Sequence, residues 1–481
     1  MLNNYKLGIE IKDKEKQIVI SAVFDFVKIA HTERIQFVLN KKFEIKEIKL
    51  NGELIKLSRK SFASDSKFSK AYQYTYDGEN IEEYLDNKVE IRYTGPLDEV
   101  FNNGIILFSL KSFWLPVFED YPQFMYLVAL FIPKDFNLIL QGNQIQEEVK
   151  EDCKLSFWER DYMDFEIPIL LSKELKRSKS SEMYEIYSDY NITDNEMKIV
   201  SETTEKIQEF LKTKLKFKSS NSLKLIVSAQ KLDVNAKNFC GISKSEIKEF
   251  NLDLLKKIIH TMVNISPDIS DDNWLVYGLI NYLLYLFLEE NKGNEVSQMV
   301  IEDWKTFLFS IPDPEPILNN IQGKHTDILL NKKAPYIFKM LETVIGRTEF
   351  LEQLSDFINK DSFNALPGES FIEFITSNLK PNLENFIHQC LTEREIPTIR
   401  INKHLMTDEK GRYKFYGEII QETNKPFEVP VIFDFEMENG VKERRIHYLK
   451  KFKERYEFVF ASKPVSYVYN GDSSILVQIR S

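Results

Sequence analysis

Cysteine is scarce. Cys153, Cys240 and Cys390 are an odd number at wide spacing, which excludes a disulfide framework or a CxxC metal clip and leaves buried free thiols as their plain reading. Histidine is nearly as rare: His31, His260, His325, His388, His404 and His447 are scattered, and no two stand at metal-ligand spacing. Positive charge is not in excess either. The 64 Lys and Arg against 74 Asp and Glu leave a net charge of −10 and a pI near 5.4, which gives no support for a phosphate-binding surface, so nucleic acid is not an expected partner. The one basic run, Lys173 to Lys179, reads as a solvated linker. Long apolar runs are missing too. The longest, Asn273 to Leu288, has 16 residues and includes Asn281 and three tyrosines, short for a membrane span and ordinary for a helix inside a domain. The N-terminus lacks the charged head and apolar stretch of a secretory signal, so a cytoplasmic protein is expected; an exported mature form would read the same way.

What is present is material for burial. Hydrophobic residues make up 43% of 481 residues, with 36 Phe and 22 Tyr, and a chain of this length exceeds one core and divides into domains. Up to about residue 170 the sequence is rich in β-branched and aromatic residues, as in QIVISAVFDFVKI and MYLVALFIP, and Asn51-Gly52 marks a tight turn between alternating apolar positions. A β-sandwich is expected there. Helical periodicity follows over 195 to 215, then a short apolar strand at Leu223 to Ala229, then helices from 244 to about 395. From Pro397 the chain returns to strands with turns at Asn439-Gly440 and Asn470-Gly471, reading as a second, smaller sandwich. The expected domains are 1–182, 183–395 and 396–481, because segregated elements imply separate domains.

Several segments carry a family likeness in their order. IKLNGE and SFWLPVFEDYPQFMYLVALFIPKDFNLILQGN supply Trp114, Pro116, Pro133 and Gly142; KKAPYIFKMLETVIGRTEFLEQLSDFI is a lysine-led helix ending in Gly; LENFIHQCLTEREIPTIRI and FEVPVIFDFEMENG lead into and along the last sandwich. Together they resemble the zinc aminopeptidase family of aminopeptidase N, the gluzincins. The resemblance implies a multidomain α+β fold: an N-terminal β-sandwich, a thermolysin-like α/β and helical domain, and a small C-terminal β-sandwich.

The stretch LKKIIHTMVNISPDISDDNWLVYGLINYLLYLFLEE, residues 255–290, reads as two helices joined by an acidic loop. Under the resemblance these are the zinc-binding pair. The family's first helix carries His-Glu-x-x-His, whose histidines share a helix face and whose Glu activates zinc-bound water. Here His260 keeps the first ligand, Thr261 replaces the general base, and Asn264 replaces the second ligand. The second helix of the family supplies a Glu within Trp-Leu-x-Glu-Gly, and Tyr277 stands in its place between Trp274-Leu275 and Gly278. In the family's substrate-recognition motif, Gly-x-Met-Glu-Asn, the Glu that grips a free α-amine is replaced by Asn238, while Gly241 is retained. The family's transition-state tyrosine falls on Asn331, removing a donor to the developing oxyanion.

No bound zinc or other cofactor is therefore expected, and no catalytic residue. His260 reads as a core histidine bonded to Tyr277 or Asn264, and Trp274, Tyr277, Tyr282, Tyr285 and Phe287 read as interior filling. The resulting expectation is a pseudopeptidase that binds a peptide or protein partner in an interdomain groove. An extended peptide would pair with the edge strand near Ala229 to Gly241. The alternative is an atypical zinc aminopeptidase that uses His260 with ligands from elsewhere.

Overall fold

The computed structural model describes residues 2–27, 34–61, 70–78, 81, 86–102, 104–118, 123–218, 222–263, 273–311, 316–317, 325–359, 367–377, 384–407 and 412–480. They gather into two compact units, Met1–Lys206 with Ser219–Ser270, and Ile207–Lys218 with Asp271–Ser481.

The first unit begins with strands whose period-2 alternation buries one face. Tyr5, Leu7 and Ile9 pair with Phe24, Ala22 and Ile20 across antiparallel strands, and all six are buried, since residues opposite each other point to the same side. These strands lie inside an eight-stranded sheet; two four-stranded sheets complete this β-rich part, and one core joins Tyr5, Phe24, Phe37, Phe108 and Trp114. Asn51 and Gly52 both have positive φ, at 51° and 87°, the geometry of the expected two-residue hairpin turn.

A five-stranded sheet follows in the order Lys176–Ser180, Tyr184–Ser188, Leu223–Ser228, Phe239–Ser243, Asn235–Ala236. Its three inner strands run parallel, and helix α1, Asp194–Leu215, is the crossover between the first two of them. Thr193 and Glu196 start α1 as a capping box: the Glu196 amide donates to Thr193 Oγ1 at 3.2 Å and the Thr193 amide donates to Glu196 Oε2 at 2.9 Å. The basic run read as a linker is in part the exposed edge strand Lys176–Ser180. Charge at a sheet edge discourages stray pairing, so a charged run is compatible with a strand there. Helix α2, Leu252–Val263, is capped by Asn251, whose Oδ1 accepts the Leu254 amide at 2.9 Å.

The second unit holds α3 (Asn273–Lys292), α4 (Asn294–Ser310) and α5 (Thr326–Ile328), the last running through a π-helical turn, Leu329–Lys333, into α6 (Ala334–Ile345). α7 (Arg347–Ile358), α8 (Pro367–Ser377) and α9 (Glu384–Thr392) complete the described helices. Trp274, Tyr282, Tyr285 and Phe287 of α3 are buried, as interior filling requires, but Tyr277 is not: it is 36% exposed, because its position on the helix faces away from that packing. Gly278 lets α3 approach α6 closely: a Cβ there would lie 2.9 Å from Phe338 Cε2 and 3.1 Å from Ala334 Cβ. A four-stranded and a three-stranded sheet then form the expected C-terminal sandwich, with Phe415, Phe433, Phe435 and Tyr456 between them. The architecture is α+β, with a β-rich N-terminal part followed by helical and β parts. Among the described residues no helix is long and apolar enough to cross a membrane.

Candidate functional site

In the first unit the site is built from an edge hairpin and the helix beneath it. Asn235 pairs with Cys240 and Ala236 with Phe239, which leaves Lys237-Asn238 as a two-residue turn. Asn238 has φ of 58°, a left-handed conformation that asparagine tolerates better than most residues. Its amide donates to Thr261 O at 3.0 Å and its carbonyl accepts from the Lys224 amide at 2.9 Å, so the turn is tied both to α2 and to the neighbouring strand. Asn238 and Tyr162 line one cleft, and burial pushes the pKa of the Tyr162 phenol up to about 12. The retained Gly241 has a packing reason: a Cβ would come 2.8 Å from Leu232 Cβ and 2.9 Å from Val234 Cγ1.

α2 presents His260 and Thr261 to this hairpin. Thr261 is fully buried; its hydroxyl donates to Lys257 O at 2.8 Å and contacts Asn235 Oδ1. His260 Nδ1 lies 2.7 Å from Asn235 Nδ2. One asparagine side chain thus joins His260 and Thr261. Below it, Lys257 donates to Gly241 O at 3.0 Å and to Glu246 Oε2 at 2.8 Å, while Glu246 also accepts the Ser243 amide at 2.9 Å. The Glu246 carboxylate is therefore held in a salt bridge and a cap. Cys240 is buried beside Thr261, and burial pushes its thiol up to about 11, which keeps it a neutral, unreactive thiol.

Sequence reading put Tyr277 or Asn264 beside the imidazole; the partner found within the first unit is Asn235. Asn264 lies outside the described residues. The signal that finds Asn235 is hairpin register, since a two-residue turn at 237–238 sets residue 235 opposite 240 and over the helix.

The remaining positions lie in the second unit. Tyr277 is on α3 with 36% of its surface exposed. Asn331 sits inside the π-helical turn, where its Nδ2 donates to Asp327 O at 2.9 Å and its Oδ1 accepts from Asn281 Nδ2 at 3.3 Å. Asn281 also donates to Tyr277 O at 2.8 Å. The amide of Asn331 is thus spent on its own helix and on α3. A π-turn marks a local departure from helical spacing that sequence periodicity does not disclose.

The residues that the resemblance aligns with the family's metal ligands lack the donor chemistry of its zinc ion. They offer one imidazole, a carboxamide and a phenol where that ion takes two imidazoles and a carboxylate. Among the described residues no group of three or more His, Cys, Asp or Glu is placed to hold a metal ion. Beside the edge hairpin lies a cleft of about 290 Å³, bordered by Glu99, Phe101, Leu107, Lys231 and the ion pair of Lys111 with Asp233 at 2.9 Å.

No protein-family profile matches the sequence, and no curated protein matches it. Solved structures do. Legionella pneumophila aminopeptidase A, in complex with aspartic acid, superposes with a TM-score of 0.78 at 15% identity, covering 100% of this chain and 59% of that one. An M1 zinc metallopeptidase from Deinococcus radiodurans gives 0.62 at 12% identity, covering 82% of this chain and 95% of that one. A two-domain M1 zinc metallopeptidase bound to L-tryptophan gives 0.63 at 12% identity with the same coverage. This chain spans only 59% of the length of the Legionella enzyme. At such identities the likeness concerns the fold, and on that ground the chain has the fold of the M1 zinc aminopeptidases.

Proposed function

We propose that the chain is an aminopeptidase-like pseudoenzyme that binds a peptide or protein partner. The observation that carries this reading is the Asn235 link. The side chain at the general-base position is a buried threonine hydroxyl joined to Asn235 and to Lys257 O, with no carboxylate in its place, and a hydroxyl cannot take a proton from water near neutral pH. Asn238, where the family has its amine-binding Glu, carries a neutral carboxamide and offers no anion. The edge strand Asn235–Ala236 keeps an outer side with no strand beside it among the described residues. An extended segment of the partner pairs there through its backbone, which demands no catalytic side chain.

The test is metal analysis of protein purified without chelator, together with turnover of an aminoacyl fluorogenic substrate. Expected are zinc well below one equivalent and no turnover above that of His260→Ala. Stoichiometric zinc with turnover abolished by His260→Ala would overturn the reading in favour of an atypical zinc peptidase.

A further inference from the structure

The first unit contains a second concavity, separate from the cleft beside the edge strand. It has a volume of about 330 Å³ and lies below the Lys237-Asn238 turn, at the ends of the strands that begin at Tyr184 and Leu223. At about 30 Å³ per water it has room for about ten heavy atoms.

Part of its wall is immobilised. Gln141 Oε1 accepts from Arg160 Nη1 at 2.7 Å, its Nε2 donates to Lys237 O, and its carbonyl accepts the Tyr126 hydroxyl at 2.5 Å. Asn238 is fixed through its backbone, whose amide donates to Thr261 O at 3.0 Å and whose carbonyl accepts from the Lys224 amide at 2.9 Å. Glu185 also lines the cleft, but its carboxylate accepts from Arg177 at 3.2 Å and from the Tyr187 hydroxyl at 3.0 Å, so its charge is compensated.

The polar groups left to meet a ligand are few and of distinct kinds. Lys224 is largely buried and donates to Leu140 O, 5.2 Å from the Trp158 ring; burial holds its amine below the usual lysine range. Ser222 Oγ is buried with no hydrogen-bond partner. Asp161 borders the cleft and is exposed. A desolvated ammonium gains most from an incoming carboxylate, and the exposed carboxylate suits an incoming ammonium. One cation, Lys224, and one exposed carboxylate, Asp161, within a small polar cleft disfavour a multiply charged nucleotide or a lipid tail.

We infer that this cleft binds a small zwitterion, a free amino acid or a dipeptide of small residues, with its carboxylate at Lys224 and its ammonium at Asp161. The inference does not depend on the pseudoenzyme reading, because none of the cleft groups it uses belongs to the His260 cluster.

The test is isothermal titration calorimetry on the full chain with alanine and Ala-Ala, and with N-acetyl-Ala-Ala and Ala-Ala-amide as single-charge controls. A single saturable site is expected for alanine or Ala-Ala, and which of the two binds more tightly sets the ligand size. Lys224→Met and Asp161→Asn should each weaken it about tenfold or more. Acetylation should weaken binding to the wild type but cost little more in Asp161→Asn, and amidation likewise in Lys224→Met. His260→Ala should leave binding intact. Circular dichroism and melting check the folding of Lys224→Met; because Asp161 is exposed, its variant decides the matter if the lysine variant is misfolded. Absence of saturable binding up to about 10 mM, or binding that both substitutions leave unchanged, refutes the inference.

Discussion

Replacing Arg160 with methionine probes the polar hub on which the walls of that cleft depend. The guanidinium is 1% exposed. Nη1 donates to Gln141 Oε1 at 2.7 Å, to Glu166 O at 2.7 Å and to Asp164 Oδ2 at 3.3 Å, and Nη2 donates to Phe124 O at 2.9 Å. Its carbon centre stands 4.4 Å from the centroid of the Tyr126 ring. Methionine fills much of the stem volume but leaves Asp164, only 2% exposed, as a buried charge without its partner. Breaking a buried pair from one side costs about 3–5 kcal/mol, and the stranded carbonyls of Glu166 and Phe124 place the loss toward the upper end of that range.

The pH dependence gives a sharper check. Burial holds the Asp164 pKa above the ordinary carboxylate value, while Arg160 pulls it back down. Without the arginine it rises further, so in acid the folded variant binds a proton that the unfolded chain still lacks. Stability then increases as pH falls through the folded pKa. The deficit of Arg160→Met relative to wild type should therefore be full at about pH 7 and smaller at about pH 5, and adding Asp164→Asn should recover much of it at neutral pH. Urea unfolding followed by tryptophan fluorescence reports it, with Trp114 and Trp158 in the first unit and Trp274 and Trp304 in the second. A deficit below about 1 kcal/mol, or one that stays constant or grows on acidification, refutes the assignment of Arg160 as the partner that Asp164 requires.

Lys333 gives the opposite pH sign. It is 6% exposed, donates to Glu393 O at 3.0 Å, and burial lowers its pKa to about 8. Because the unfolded lysine titrates near 10.4, the unfolded state holds the extra proton between those values and stability rises with pH across that window. Lys333→Met, after losing one hydrogen bond, should be about 1–2 kcal/mol more stable than wild type at pH 7. The advantage should vanish toward about pH 10, and parallel pH profiles of the two proteins would contradict this. At Gly417, on the strand Tyr413–Gln421, a Cβ would press into the carbonyl of Asn402 on the adjacent strand. Gly417→Ala should cost about 3 kcal/mol in denaturant unfolding. Gly52→Ala, with φ of 87° but nothing within 4 Å, should cost about 1 kcal/mol; equal losses at the two sites would show that strand proximity is not the cause.

Much of the fold was legible because its signals are local. Asn51-Gly52 announced a hairpin through the positive φ that both residues adopt. The helical periodicity over 195 to 215 announced α1, which spans Asp194–Leu215. The apolar stripe of α2 marked its buried face through Leu254, Leu255, Ile258, Ile259, Met262 and Val263. The strand Lys176–Ser180 was missed for an equally local reason. A charged run has the composition of a linker, and only pairing with Tyr184–Ser188 makes it an edge strand. The π-helical turn at Leu329–Lys333 was likewise invisible, since nothing in LLNKK disturbs a helical pattern.

By itself the sequence determined which chemical groups stand at the positions the resemblance singles out: an imidazole at 260, a hydroxyl at 261, a phenol at 277 and carboxamides at 238, 264 and 331. Side-chain identity bounds proton transfer and metal donation whatever the fold does. Only the tertiary structure decided what those groups touch. Asn235 meets His260 from 25 residues away and Thr261 from 26, and the second cleft gathers Gln141, Asp161, Lys224 and Asn238 from separate strands and turns. Such meetings depend on sheet register and on how α2 packs under the hairpin. Both follow from the burial of many apolar side chains at once, and no single stretch of sequence encodes them.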